Sequence, residues 1–211
     1  LRTLNDLVDP AKAALIVVDV QNDFCHPDGV LGKAGAPTGA AMEMIPRLQR
    51  LLDAARQSGT KVIFVQTIHE SVTDSEAWRA RSGGRVHEIC RKDTWGSAFT
   101  GIAPGVDEPV VIKHRYSAFI NTRLDSILRT FKTKTLIMTG VSTNVCVEST
   151  ARQGLMLDYD VVFLGDCTAA YSQAEHDGAL RNIAMHFGTV ATSEDVMRAW
   201  GRVPLAHAPA V

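Results

Sequence analysis

The sequence lacks an excess of either charge: 22 Lys and Arg stand against 23 Asp and Glu, a formal net charge of −1. There is no basic run of five or more, so neither a phosphate backbone nor an anionic membrane surface is an expected partner. Long apolar runs are missing too. The longest, Ala13–Val18, has six residues, where a spanning helix needs about 20. Leu1 to Pro10 carries Asp6 and Asp9 and no apolar stretch, which is not the pattern of a signal peptide. The four cysteines, at 25, 90, 146 and 167, form no C-x-x-C pair, and a core of this size needs no disulfide staple. These absences lead to the expectation of a reduced, cytoplasmic chain. Repeats, linkers and low-complexity tracts are also absent. With 211 residues, 45% of them hydrophobic and 21% charged, residues 1–211 are expected to form a single globular domain.

What is present is an alternation of short β-branched runs with longer amphipathic ones. Strands are expected at Ala13–Val20, Lys61–Thr67, Pro109–Lys113, Thr135–Gly140, Asp160–Gly165 and Thr189–Thr192. Most are continuously apolar, as strands covered on both faces are. Helical spacing appears over 40–58 (Met44, Leu48, Leu51, Leu52, Ala55, with a stop at Ser58-Gly59) and over 122–131 (Leu124, Ile127, Leu128, Phe131). Thr122 and Asp125 resemble a capping box for the second of these. Two further helices fit 145–157 (Val147, Ala151, Leu155) and 174–187 (Leu180, Ile183, Ala184, Phe187). Strand–helix alternation of this kind predicts an α/β fold: three layers, α/β/α, around a mostly parallel, doubly wound sheet. Residues 70–108 break the rhythm. They contain Gly83-Gly84, Gly96, Gly101, Pro104 and Gly105 together with Trp78 and Trp95, and a connection this long inside a compact domain is expected to be a lid or binding loop.

Ligands of doubly wound sheets sit outside the carboxyl ends of the strands. There this sequence places Asp19 after the first strand, Lys113 at the end of the third, and Cys146 beyond the fourth. A carboxylate, an amine and a thiol thus come to one edge from three strands. Taken singly, Asp19 could cap a turn, Lys113 could lie along the surface and Cys146 could be an inert buried thiol. The address of Cys146 argues otherwise. In the first turn of a helix the thiol would face unpaired N–H groups, which lower a thiol pKa and can also hold an oxyanion. Cys25, Cys90 and Cys167 have no such setting.

Three stretches carry a resemblance: Ala-Leu-Ile-Val-Val-Asp-Val-Gln-Asn-Asp-Phe at 14–24, Lys113 after a strand, and Gly-x-x-Thr-x-x-Cys-Val-x-x-Thr at 140–150. Together they resemble the isochorismatase-like cysteine hydrolases over nearly the whole chain. The resemblance implies a catalytic triad of Asp19, Lys113 and Cys146, a cis peptide at Val141–Ser142, and an oxyanion hole from the amides of Ser142 and Cys146. Lys113 to Phe119 and Asn144 to Thr150 are similar to ureidoacrylate amidohydrolases, which implies cleavage of a C–N bond in a small linear ureide or amide through a covalent cysteine intermediate. Biuret, an N-carbamoyl amino acid, maleamate or a short-chain amide are alternative substrates. Gln21, Asn22, Phe24, Trp95, Tyr116, Phe119 and Asn144 are the candidate substrate-binding residues. Nicotinamidases of this superfamily hold a metal through an Asp-x-His element and a further histidine. Here the place is Thr67-Ile68-His69, with no second histidine before His87, so neither metal nor other cofactor is expected and His69 is assigned to a pocket wall or the surface. True isochorismatases lack the nucleophilic cysteine, so Cys146 argues against that activity. The resemblance also implies a homodimer or homotetramer.

Overall fold

The structure, a computed structural model, describes residues 2–81 and 88–201. Gly83-Gly84 and His87 therefore lie outside the described residues. Six strands form one sheet: β1 Ala13–Val18, β2 Lys61–Thr67, β3 Val110–Lys113, β4 Thr135–Val141, β5 Asp160–Ala169 and β6 Thr189–Ala191. Their order is β3-β2-β1-β4-β5-β6 and every pairing is parallel. The helices are α1 Leu4–Leu7, α2 Asn22–Cys25, α3 Val30–Lys33, α4 Gly39–Ser58, α5 Glu76–Arg81, α6 Leu124–Thr130, α7 Glu148–Met156, α8 Gln173–His186 and α9 Ser193–Ala199.

Alternate residues of β1 serve opposite cores, as a period of two requires. Leu15 and Val17 join Met44, Leu48 and Leu51 of α4 and Val196 of α9. Ala14, Ile16 and Val18 join Leu124 and Leu128 of α6, Ala151 of α7 and Ile183 of α8. Each fully buried aliphatic side chain contributes about 1.5–3 kcal/mol. With both faces covered the sheet has three layers, and its strand order reverses between β1 and β4. A crevice forms at that switch point, outside the carboxyl ends of the strands.

Several expected boundaries move for local reasons. β1 stops at Val18 because Asp19 takes a left-handed φ of 53°, a conformation that ends extended pairing. β5 runs on to Ala169, so Cys167 lies within it. The register of β4 against β5 shifts between Met138 and Gly140. Gly140, at φ 107°, cannot be replaced without strain, since a Cβ there would lie 2.0 Å from the Val18 carbonyl oxygen. The expected Thr122/Asp125 capping box does not form. Arg123 is the N-cap of α6 without a side-chain bond, Thr122 Oγ1 donates to Ala118 O, and Asp125 takes bonds from Arg129 and Tyr159. Leu155 and Ala184 face solvent rather than the core. Gly59 does end α4, at φ 81° with its N–H on the Ala55 and Arg56 carbonyls.

Candidate active site

Asp19, Lys113 and Cys146 meet at the switch point. Lys113, one of the largest fully buried side chains, sends Nζ to within 2.7 Å of Asp19 Oδ2 and 3.4 Å of Cys146 Sγ. Thr67, at the end of β2, accepts from Lys113 Nζ at 2.7 Å and donates to Asp19 Oδ1 at 3.0 Å. The Arg115 carbonyl takes a further Lys113 hydrogen bond at 3.0 Å. An ammonium removed from water needs this many acceptors, because an unpaired buried charge costs several kcal/mol. Asp19 Oδ2 has the ion pair but no well-aligned hydrogen bond, so it keeps a lone pair to receive a proton.

Cys146 lies in the first turn of a helical run, as the sequence suggests, but burial overrides the expected lowering of its pKa. It lies in a π-helical turn, Thr143–Val147, ahead of α7. Burial pushes its thiol pKa up to about 12, with Lys113 pulling it down and Asp19 pushing it up. Desolvation outweighs the pull of the neighbouring ammonium, so the net shift of the thiol is upward. Burial also depresses Lys113, but the Asp19 and Cys146 charges outweigh it and hold the amine above its ordinary pKa. The Val141–Ser142 peptide is cis. The Ser142 carbonyl accepts from the amides of Val145 and Val147, which fixes the turn.

These groups border a cavity of about 200 Å³, smaller than the about 300–1,000 Å³ typical of drug-sized ligands. Its walls include Phe24, Tyr116, Ser142 and His69, all named in the sequence, and also Leu31, Trp78, Arg81, Ile89, Arg115, Val145 and Tyr171. The other nominated binding residues lie outside it. Gln21 is spent on the backbone, donating to the Thr67 and Ser97 carbonyls and accepting from Thr67 N–H. Asn22 donates to the Trp95 carbonyl. Trp95 itself is 54% exposed and meets His26 edge-on, whereas Phe119 stacks on Tyr159 and Asn144 accepts from Ser142 Oγ at 3.3 Å.

Trp78, read in the sequence as part of the lid but not as a substrate-binding residue, packs edge-on against Tyr116 with ring centroids 4.8 Å apart. Tyr171 follows the end of β5, so a correct strand length would have found it by the same rule as Asp19. Asp23 is a hidden organiser. Its carboxylate accepts from the amides of Val30 and Cys90, tying together the segments that carry Leu31 and Ile89. His69 Nδ1 lies 3.1 Å from buried Asp74, which also takes Arg91 Nη1 at 2.5 Å. No group of three or more metal-ligating side chains occurs among the described residues.

The fold and the family are matched by comparison with known proteins. An isochorismatase domain matches residues 13–195, so the chain belongs to the isochorismatase family. The ureidoacrylate amidohydrolase of Methylobacterium radiotolerans is 36% identical over 200 residues, 87% of this chain and 78% of that protein. That of Azorhizobium caulinodans is 32% identical over 92% of each chain. Among solved structures, a cysteine hydrolase from Pseudomonas syringae superposes with a TM-score of 0.85 at 31% identity, covering 92% of this chain and 95% of the other. N-carbamoylsarcosine amidase from Thermoplasma acidophilum gives 0.73 at 29% identity, covering 87% and 97%.

Proposed function

We propose that this chain is a cysteine-dependent amidohydrolase that cleaves a C–N bond of a small linear ureide or amide, of the ureidoacrylate kind. The observation that carries the reading is the convergence of Lys113 Nζ on both Asp19 Oδ2 and Cys146 Sγ at the wall of a small cavity. Cys146 is the nucleophile, Asp19 the general base and acid, and Lys113 the cation that orients Asp19 and stabilises sulfur charge as it develops. As the substrate carbonyl approaches, Asp19 takes the thiol proton and sulfur attacks carbon. The carbonyl oxygen becomes an oxyanion, held by the backbone amides of Ser142 and Cys146; losing one such donor typically costs about 2.7–4 kcal/mol of barrier. Asp19 then passes the proton to the departing amine. Water, deprotonated in turn by Asp19, attacks the acyl- or carbamoyl-cysteine and frees the thiol. A ureido acid would yield ammonia, carbon dioxide and an aminoacrylate-type acid.

Residues 70–108 act as a lid in this reading, since Trp78, Arg81 and Ile89 all come from that connection. Likeness to N-carbamoylsarcosine amidase supports a second reading, with an N-carbamoyl amino acid, biuret, maleamate or another small amide as substrate. An ammonia-release screen of such compounds tests both. Wild type turns over at least one, and Cys146→Ala loses roughly 10⁴-fold or more with its thermal unfolding retained. Turnover above a few per cent in Cys146→Ala rules out the covalent route.

A further inference from the structure

The cavity carries more positive charge than the triad uses. Four charged side chains line it: Asp19, Lys113, Arg81 and Arg115. Lys113 and Asp19 neutralise each other at 2.7 Å. Arg81 and Arg115 remain, and neither forms an ion pair with a carboxylate among the described residues. The rest of the lining is largely apolar, and there the half-buried Arg115 guanidinium attracts an anion more strongly than it would in open water, with exposed Arg81 adding a weaker pull.

Arg115 is held in place. Its Nη1 donates to the Thr73 carbonyl at 3.1 Å and to the His114 carbonyl at 2.6 Å, and the guanidinium lies 4.8 Å from the Trp78 ring centroid. Its own carbonyl accepts from Lys113 Nζ, so the segment carrying the guanidinium is tied to the amine beside the thiol. Among the described residues only Nη1 is engaged, which leaves donors of the fork available, and a planar fork matches a carboxylate bidentately. Arg81 ends α5, one turn beyond Trp78.

We infer that Arg115, assisted by Arg81, forms an anion subsite, and that the substrate is a ureide or amide bearing a free carboxylate. This rests on the amidohydrolase reading for its choice of substrate and narrows it. Ureido acids, N-carbamoyl amino acids and maleamate fit the subsite, whereas biuret and simple neutral amides leave both guanidinium groups without an anionic partner.

A test independent of turnover uses two alkylating agents of similar shape, anionic iodoacetate and neutral iodoacetamide. The rate of each at Cys146 is read by mass spectrometry of the Cys146 peptide, with glutathione as the free-thiol reference. The iodoacetate-to-iodoacetamide ratio should exceed that of glutathione by roughly tenfold or more. Arg115→Gln should lower the ratio several-fold, Arg81→Gln less, and the double variant most. Lys113 is present in every variant, so its contribution is constant, and iodoacetamide gives each variant its own reference for an intact thiol and fold. A wild-type ratio no higher than that of glutathione, or one unchanged in the double variant, overturns the subsite. Ammonia release that persists alongside a flat ratio removes only this inference, whereas a raised ratio with no ammonia release from any compound removes only the amidohydrolase reading.

Discussion

Two buried aspartates stand near this cavity, and the protein uses them differently. Asp19 and Asp74 both have side chains 1% exposed. Asp19 sits at a strand end, and its partners come from the neighbouring strand ends: Thr67 of β2 and Lys113 of β3. It faces the cavity together with the sulfur. Asp74 belongs to the long connection after β2, takes its partners His69 and Arg91 from either side of that segment, and reaches the cavity only through His69. In the proposed reading the strand ends and the turn after β4 supply groups in fixed mutual positions for chemistry, while the connection supplies walls fastened by their own internal ion pair. Coordinated strand ends suit proton transfer, which fails with small misplacements, and a wall tolerates more.

The largest expected effects test that division directly. Asp19→Asn and Lys113→Met should each lower kcat by roughly 10³–10⁴-fold, since groups that act as a unit fail together. Each also strands its buried partner, costing about 3–5 kcal/mol in urea unfolding. The double variant should recover much of that stability and none of the activity. Asp74→Asn should cost about 1–3 kcal/mol but leave kcat within about tenfold. If Asp74→Asn abolishes turnover as Asp19→Asn does, the distinction between chemistry and wall collapses.

The next effect, smaller, separates the two tryptophans of the connection. Trp78→Ala removes the ring beneath Arg115 and against Tyr116, and should lower kcat/KM by roughly 10–100-fold. Trp95→Ala, whose ring meets only His26 among the aromatic contacts of the described residues, should change kcat/KM by no more than about threefold. Equal losses in the two would mean that Trp95 moves into the cavity when substrate binds.

The same division governs what the sequence makes legible. Continuously apolar runs mark strands covered on both faces, and residues at or just beyond the end of each run fall at the carboxyl edge, so position brings Asp19, Lys113 and Cys146 to one edge and the family resemblance is what groups them as a triad. The walls are not legible in that way. Leu31 lies on a four-residue helix, too short for any periodic signal. Nothing local distinguishes Trp78 from Trp95; what separates them is that Arg115 and Tyr116, some 37 residues downstream of Trp78, receive one ring and not the other. Helix position is visible in sequence but dehydration is not, and for Cys146 dehydration wins, raising a thiol pKa that the local motif alone would lower.

The smallest effect reads the wall's ion pair through pH. Burial holds the His69 imidazole below its ordinary pKa; Lys113 and Arg91 push the same way, and the hydrogen bond and charge of Asp74 only partly oppose them. The unfolded chain then binds a proton near pH 6.5 that the folded chain refuses until lower pH, so stability rises with pH across that window and falls on acidification below it. His176, also depressed by burial, contributes in the same direction. Melting temperatures between pH 7.5 and 5 should therefore fall less steeply in His69→Gln than in wild type, with the remaining slope reduced further when His176→Gln is added. A steeper acid decline in His69→Gln would mean that Asp74 keeps the imidazole protonated in the folded state. His69 would then be a third cation facing the cavity, and the wall would share in the chemistry it is here assigned only to border.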